Sequence, residues 1–206
     1  YEEMLELAAA GAKFLHLRCV EYARRFNLPI HVRSSFTPNE GTWVVENHPD
    51  GGTMEQAIIS GVAHDKSEAK VTIVGVPDRT GVAARIFQAV ADNDINVDMI
   101  VQNVSAAATG LTDISFTVSK TEGQKATTVL QRIQGEVGFA SIIYDDTIGK
   151  LSLVGAGMRS HPGVTATFFA AMADAGVNIE MISTSEIRIS VIVRQADVER
   201  AAKAAH

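Results

Sequence analysis

Residues 71–105 and 151–185 are two versions of one segment, and this internal repeat constrains the fold more than any other feature of the chain. They read VTIVGVPDRTGVAARIFQAVADNDINVDMIVQNVS and LSLVGAGMRSHPGVTATFFAAMADAGVNIEMISTS. The stretches at 91–100 and 173–182 agree best, with five identical positions of ten. Repetition at a fixed spacing indicates a duplicated structural unit. We therefore expect two copies of one small domain, whose paired surfaces suit the binding of a ligand between them.

Each copy has the hydrophobic pattern of an α+β unit. The order strand, helix, strand, strand, helix, strand, over about 75 residues, predicts tandem ferredoxin-like βαββαβ units, the second without its last strand. In such units the helices cover one face of an antiparallel sheet, and the other face and an edge remain for side-by-side association. The predicted strands are 71–76, 95–103, 112–118, 139–144, 150–155, 177–183 and 187–193, and the predicted helices are 82–92, 123–135, 164–175 and 195–206.

The residues before the repeat have a different pattern. Apolar residues at helical spacing predict helix over 2–26 with a break at Gly11, followed by a short strand at 30–35. The glycines, prolines and polar residues of 36–53 predict a flexible connection, so we place a domain boundary near residue 54 and a further strand at 57–64. Because the chain opens and closes inside helical patterns, we interpret it as a fragment.

Charge and cysteine content exclude several classes of protein. A formal net charge of −6 argues against nucleic-acid binding, which requires clustered lysine and arginine. The single cysteine, Cys19, rules out an intramolecular disulfide and is typical of a reducing compartment. Its place in an amphipathic helix predicts a packed thiol and not a nucleophile. The sequence shows neither a membrane-spanning apolar run nor a signal-peptide pattern, so we expect a cytoplasmic protein.

A strand-to-helix loop in the first copy has the groups that a free amino acid requires. Within residues 76–83, VPDRTGVA, the helix start offers unpaired N–H groups and a partial positive charge to a carboxylate. Gly81 allows close approach of the backbone, and the Asp78 carboxylate can hold an ammonium group. In the structural alternative Asp78 caps the helix and Gly81 relieves a tight turn. The local pattern by itself favours that alternative.

The corresponding loop of the second copy, residues 155–163, reads GAGMRSHPG and is two residues longer. Its glycines do not form a dinucleotide-binding fingerprint, because the third falls six residues after Gly157 and the repeat frame is not a parallel sheet. His161 has no partner at ligand spacing, so a solvated or capping histidine is expected in place of a metal ligand. The polar residues at 102–105 and 183–186 suit either a small polar ligand or ordinary hairpin turns.

No catalytic constellation is present in the sequence. We find no Ser-His-Asp or Cys-His arrangement and no phosphate-binding GxxxxGK[ST] motif. Asp145 and Asp146 are adjacent at a strand end, where their side chains point to opposite sides, and a turn is the better interpretation than a magnesium site. We therefore predict no catalytic residue, no metal site and no cofactor in this chain.

Several longer segments carry a family resemblance. They are residues 62–71 (VAHDKSEAKV), 96–105 (NVDMIVQNVS), 153–158 (LVGAGM), 160–166 (SHPGVTA) and 178–190 (NIEMISTSEIRIS). These segments resemble the tandem ACT domains of aspartokinases, most closely the lysine-plus-threonine-regulated type of high-GC Gram-positive bacteria. The opening YEEMLELA at 1–8 and SSF at 34–36 resemble the end of the catalytic domain of that family. One departure is His16-Leu17-Arg18, where many relatives have His-Pro-Arg.

The resemblance implies a division of the chain into four parts. Residues 1–53 would be the C-terminal end of the kinase domain plus a linker, and residues 54–70 a strand that packs with the second ACT unit. Residues 71–147 would form the first ACT domain and 148–206 the second, without its C-terminal end. The Lys-Phe-Gly-Gly nucleotide signature of the family is absent, so most of the catalytic lobe is missing and the fragment should be inactive alone. Met54 lies where an internal start of a regulatory subunit can occur.

The resemblance also implies a function. The whole enzyme would phosphorylate the β-carboxylate of aspartate with ATP and Mg²⁺, the first step toward lysine, threonine and methionine. This region would bind lysine and threonine and inhibit that step, as a homodimer through its ACT units or with a full-length catalytic subunit. Asp78 and Glu186 would hold ammonium groups, and Gln102, Thr165 and Ser185 would contact the effector side chain. The full set of implied effector contacts is Asp78, Gly81, Ala83, Asn96, Val97, Asp98, Gln102, Val164, Thr165, Asn178, Ile179, Ser185 and Glu186.

Two other classes of function are compatible with the fold. A freestanding amino-acid-sensing pair of ACT domains would share every sensing residue but would never join a kinase lobe. A ferredoxin-like RNA-binding module would need aromatic residues on its central strands and a basic face. The net negative charge and the few aromatic residues speak against the RNA-binding class.

Overall fold

The computed structural model describes residues 1–46, 59–103, 109–155, 158, 161 and 163–206. Two helices and a small sheet come first, and a separate strand precedes the repeat. These elements are α1 (Glu2–Ala9), α2 (Leu17–Arg25), β1 (Ile30–Val32), β2 (Thr42–Val44) and β3 (Gly61–Asp65). The helical span breaks around Gly11, as predicted. The region expected to be only a connection contains β2, which pairs antiparallel with β1.

The first repeat forms a four-stranded antiparallel sheet with two helices, here called unit 1. Its elements are β4 (Glu68–Pro77), α3 (Val82–Ala91), β5 (Val97–Gln102), β6 (Leu111–Ser119), α4 (Lys120–Val137) and β7 (Ser141–Asp145). The strand order is β5-β6-β4-β7. Because side chains alternate along a strand, Val71 and Ile73 of β4 enter the core shared with both helices, and Lys70 and Thr72 lie on the other face.

The second repeat forms unit 2, and a strand from outside the repeat completes its sheet. Its elements are β8 (Ile148–Val154), α5 (Val164–Asp174), β9 (Met181–Thr184), β10 (Arg188–Arg194) and, after a 3₁₀ turn at Gln195–Asp197, α6 (Val198–Ala205). The strand order is β3-β8-β10-β9. β3 pairs antiparallel with β8 and so occupies the edge that β7 occupies in unit 1. The tandem ferredoxin-like α+β fold is therefore confirmed.

Element ends differ from the predicted spans for local reasons. The second helix of unit 1 begins at Lys120 and not at 123, because the Ser119 hydroxyl accepts a hydrogen bond from the Thr121 N–H (3.4 Å) and caps the helix. The predicted strand 177–183 is shorter, since β9 spans only Met181–Thr184. Residues 57–58 of the predicted strand 57–64, Met54, and most of the loop 155–163 lie outside the described residues.

Strand β8 is buried on both faces, unlike a strand at a solvated sheet. Leu151 and Leu153 pack against the helices of unit 2. On the opposite face, Ile148 contacts unit 1 and Val154 packs beneath α1 together with Leu7. The non-helical face of unit 2 is therefore shared between its sister unit and the N-terminal helix.

The two units meet at a seam with approximate two-fold symmetry. Lys70 and Lys150 each stand one residue before the repeat, and Asp98 and Glu180 occupy equivalent positions within it. The Lys150 ammonium donates to the Asp98 carboxylate at 2.6 Å, and Lys70 forms the reciprocal ion pair with Glu180. Between these pairs Met99, Met181, Ile148 and Ile192 form an apolar cluster. Each repeat thus supplies the same groups to the other, as in an isologous dimer.

One charge at the seam breaks this symmetry. Glu68 forms a second ion pair with Lys150, whereas the aligned position in unit 2 is Ile148. Lys150 is 3% exposed and Glu68 8% exposed. Burial, together with the nearby Asp98 charge, raises the pKa of Glu68, although Lys150 acts to lower it. Burial also acts to lower the pKa of Lys150, but the two carboxylates outweigh it and raise that pKa. Lys150 is therefore a charged group whose burial depends on its partners.

Two expectations from the sequence are wrong. Side-by-side sheet pairing was expected within the chain, but no backbone pairing joins the two sheets in the part that the structure describes. The units associate instead through residues on the sheet faces. Cys19 was expected to be packed, yet it is exposed, because α2 directs Val20 and Ala23 inward. Among the described residues, no helix combines the length and apolarity needed to cross a bilayer.

We predict that Lys150→Met destabilises the protein by about 3–5 kcal/mol at pH 7, because the Glu68 carboxylate remains buried without its cation. Urea unfolding measures the change. The double variant Lys150→Met/Glu68→Met should recover most of the loss, since it buries no charge there. Lys66→Met is the matched control and should have little effect, because Lys66 pairs with Glu199 at the exposed surface (2.7 Å). Equal effects of Lys150→Met and Lys66→Met would contradict the prediction.

Candidate functional site

Asp78, Gly81 and Ala83 lie where β4 gives way to α3. Gly81 is the N-cap residue of α3, with φ of +92°, and Ala83 lies in the first helical turn. The N–H of Asp78 donates to the carbonyl of Gly110 at 2.9 Å, which fixes the backbone of the loop. No side chain caps α3, so the capping role considered for Asp78 is not observed. The first N–H groups of the helix and an exposed carboxylate therefore face the same end of unit 1.

Gln102 is the last residue of β5 and lies at the same end of the sheet as Asp78. The neighbouring Asn103 N–H donates to the Asp113 carbonyl at 3.2 Å, and the Asn103 carbonyl accepts from the Thr112 hydroxyl. Because β5 and β4 both run antiparallel to β6, their C-terminal ends lie on the same side. We call this group the loop end of unit 1; it consists of Asp78, Gly81, Ala83 and Gln102.

Unit 2 repeats this arrangement. Gly163 is the N-cap residue of α5 with φ of +109°, and Val164 and Thr165 form the first helical residues. Ser185 and Glu186 follow β9, and the Ser185 N–H donates to the carbonyl of Arg188 at 2.8 Å to close the β9–β10 hairpin. The loop end of unit 2 accordingly consists of Val164, Thr165, Ser185 and Glu186.

Positive φ angles explain the glycine at each helix start. An added Cβ on Gly81 or Gly163 would meet no atom within 4 Å. Crowding therefore does not demand glycine at these positions. The left-handed backbone demands it, because other residues adopt that conformation at a cost. The same device in both units leaves the helix N–H groups uncovered by a capping side chain.

The remaining predicted contacts lie elsewhere. Asn96, Val97 and Asp98 are at the opposite end of β5, beside the seam, and Asn178 and Ile179 are at the equivalent place before β9. The structure therefore does not bring these residues to the loop end of their own unit. Asn96, Val97 and Asp98 line an open cavity of about 260 Å³ together with Asp65, Ser67, Glu68, Val118 and Ser119.

Sequence reasoning missed the seam cations. Lys70 contacts Glu180, next to the predicted contact Ile179, and Lys150 contacts Asp98, which is itself a predicted contact. The signal was available, since extending the alignment of the two repeats by one residue upstream pairs the two lysines. Each lysine occupies a polar position of an alternating pattern, on the face expected to meet solvent. Nothing in periodicity alone indicates that a second sheet covers that face.

The chemistry of the two loop ends suits a zwitterion. Uncapped helix N–H groups attract a carboxylate, and the carboxylates of Asp78 and Glu186 attract an ammonium group. The Gln102 amide and the Thr165 and Ser185 hydroxyls can hydrogen-bond a polar side chain. Within the described ranges, no three His, Cys, Asp or Glu residues are grouped so that they could hold a metal ion.

Comparison with known proteins gives a consistent result. The family model for the ACT domain matches residues 71–133 and 151–206, more than half of the chain. An aspartokinase of Mycobacterium tuberculosis is 60% identical over all 206 residues, which are 49% of that protein. The chain thus spans about half the length of the curated relatives it matches.

Solved structures extend the comparison. The ligand-free regulatory subunit of aspartate kinase from Thermus thermophilus is 42% identical, with a TM-score of 0.68 over 73% of this chain and 97% of that one. Aspartokinase III of E. coli in complex with lysine and aspartate matches 99% of this chain and 44% of its own, with a TM-score of 0.70. At 23% identity this second likeness supports the fold alone.

We predict that Gly81→Ala destabilises the protein by about 1–2 kcal/mol, since alanine must adopt the left-handed conformation. Gly135→Ala is the matched control. Gly135 lies within the helical backbone of α4 with no atom within 4 Å of an added Cβ, so alanine should stabilise by roughly 0.5–1 kcal/mol. Urea unfolding distinguishes the two signs. The same sign for both substitutions would refute the conformational explanation.

Proposed function

The chain is an ACT-domain regulatory region of the aspartokinase family, and we propose that it binds lysine and threonine. Their binding would feedback-inhibit aspartate kinase. The inhibited reaction is the ATP-dependent phosphorylation of L-aspartate to 4-phospho-L-aspartate. It opens the route to diaminopimelate, lysine, threonine and methionine. The observation that carries the proposal is the duplicated loop end, where an uncapped helix start, a carboxylate and polar strand-end groups lie at the same end of each unit.

The asymmetry between the loop ends supports two different effectors. Unit 1 offers a carboxamide, Gln102, near its helix start, and unit 2 offers hydroxyls, Thr165 and Ser185. The loop before α5 is also two residues longer than the loop before α3. Different polar groups and a different loop length favour effectors with different side chains. A polar group that an effector buries without giving it a hydrogen-bond partner costs binding free energy.

A second copy of the chain would complete each site. β5 and β9 are edge strands with no neighbour on their outer sides in the part of the chain described. They carry Ile100, 50% exposed, and Ile182, 43% exposed, at equivalent repeat positions. Antiparallel pairing of β5 with β9 of another copy would place Gln102 beside Asn178 and Ser185 beside Asn96. This pairing explains why the predicted contacts divide between the two ends of each edge strand.

The catalytic lobe belongs to the same proposal. The match to aspartokinase includes residues 1–46, whose helices precede the ACT units, and this extent favours an enzyme region over a freestanding sensor. ATP and Mg²⁺ would bind the part of the enzyme that this chain does not contain, and the chain alone would be inactive. The regulatory region would act as a dimer or with a full-length catalytic subunit in the cytoplasm.

We predict that lysine and threonine each bind the 206-residue chain in its dimeric form. Isothermal calorimetry measures the binding, and each effector should also raise the unfolding temperature, because a ligand that binds only the folded state stabilises it. Aspartate and alanine serve as control amino acids. If neither lysine nor threonine, alone or together, gives heat or a thermal shift, the proposed function is wrong.

We predict that Gln102→Ala and Ser185→Ala weaken inhibition of the full-length enzyme without changing its uninhibited rate. Loss of one hydrogen bond should raise the half-inhibitory concentration of an effector about 2- to 10-fold. Gln124→Ala is the control, since Gln124 is exposed on α4, away from both loop ends. Inhibition curves for both variants that superimpose on the wild-type curve would count against the assigned sites.

A further inference from the structure

We propose that Arg188 transmits effector occupancy from the loop end of unit 2 to helix α1. The inference rests on the proposed function and adds a route by which unit 2 reaches the catalytic side of the enzyme. Arg188 belongs to the segment NIEMISTSEIRIS, yet none of the assigned effector contacts includes it. It is a cation at the start of a strand whose next five residues are all buried, four of them apolar, which calls for a physical reason.

Arg188 joins the hairpin of unit 2 to α1. One guanidinium N–H donates to the Glu6 carboxylate on α1 at 3.0 Å. The two side chains are only 20% and 29% exposed, so water screens this ion pair less than a surface pair. Among the described residues, the Nε atom of Arg188 is buried without a hydrogen-bond partner. The contact therefore costs desolvation that a merely structural apolar residue would avoid.

The backbone connects Arg188 directly to candidate effector residues. The Arg188 carbonyl accepts the N–H of Ser185 at 2.8 Å, and the adjacent Ile187 carbonyl accepts the N–H of Gly155 at 2.9 Å. Gly155 directly follows β8, where the loop before α5 begins. A ligand that orders the turn at Ser185 and Glu186 must therefore act on the backbone that carries the Arg188 side chain.

Helix α1 packs closely against the sheet of unit 2, so a displacement of that sheet would reach it. Leu7 and Ala10 pack on Ala63 and Val154. A Cβ added to Gly61 would lie 3.1 Å from the Leu7 side chain. Close-packed contacts of this kind pass small displacements on instead of absorbing them. Unit 1 has no equivalent connection in the described part of the chain, because α1 lies on the sheet of unit 2 alone.

The test uses the 206-residue chain with lysine and threonine as probes. Calorimetry measures binding, and hydrogen exchange measures the protection of the α1 amides. We expect a saturating effector to slow exchange in α1 of the wild-type chain. In Arg188→Gln and in Glu6→Gln, binding should stay within about threefold of wild type while the slowing in α1 disappears. Two variants on opposite sides of the contact keep the test informative if one of them folds poorly.

Two control variants separate transmission from general damage. Arg188→Lys keeps a cation opposite Glu6 and should retain part of the slowing. Arg200 of α6 pairs with Asp197 at 2.7 Å and also bonds the Gly176 carbonyl, both within unit 2. Arg200→Gln should therefore retain the full slowing of exchange in α1. In the full-length enzyme, Arg188→Gln should keep the uninhibited rate. The ratio of rates without and with saturating effector should fall about fivefold or more.

The outcomes distinguish this inference from the proposed function. No binding of either amino acid to the wild-type chain would contradict the proposed function itself. Binding without any change in α1 exchange would overturn the role of Arg188 and leave the sensing function in place. Equal slowing in wild type and Arg188→Gln would also overturn it.

Discussion

The two-sided burial of strand β8 is the constraint on which the rest of the structure depends. One face of the strand completes the core of unit 2, and the other faces both unit 1 and α1. Such a strand cannot leave its polar side chains to water. Lys150 is consequently paired with two carboxylates, and the Ser152 and Ser190 hydroxyls hydrogen-bond each other at 2.8 Å. The same face therefore fixes how the sister unit and the N-terminal helix sit on unit 2.

Duplication of one unit explains the reciprocal ion pairs at the seam, and divergence of the two copies explains the additional charge on one side. The reciprocal pairs Lys70–Glu180 and Lys150–Asp98 are what two identical copies would form around a two-fold axis. Glu68 adds a carboxylate on one side only, where unit 2 has Ile148. Burial raises the pKa of Glu68 and thus makes its charged form dependent on Lys150. On that side of the nearly symmetric interface, a shift between the units would therefore disturb one additional buried ion pair.

The sequence predicted the units better than their association. The repeat, the glycine at each helix start and the alternating β4 residues Val71 and Ile73 all follow from spacing and local conformation. Periodicity identifies the apolar face of a sheet but not what covers the other face, so face-to-face packing and the burial of Lys150 were not foreseen. The place of β3 beside unit 2 followed only from the family resemblance, since an edge strand carries no signal of its partner. Pairing of β2 with β1 was missed for the same reason.

The unequal position of the two units has a consequence for regulation under the proposed function. In unit 1 the Thr72 and Ser115 hydroxyls repeat the serine pair of unit 2 at 2.9 Å, but that face is only partly buried and no helix equivalent to α1 lies on it among the described elements. Within the described elements, an effector at unit 1 would reach α1 across the seam, through the ion pairs and the apolar cluster around Met99. An effector at unit 2 has the shorter route through the β9–β10 hairpin. Two sensors of common origin would then contribute unequally, because in the described part of the chain only unit 2 contacts α1, which under the proposed function belongs to the catalytic side.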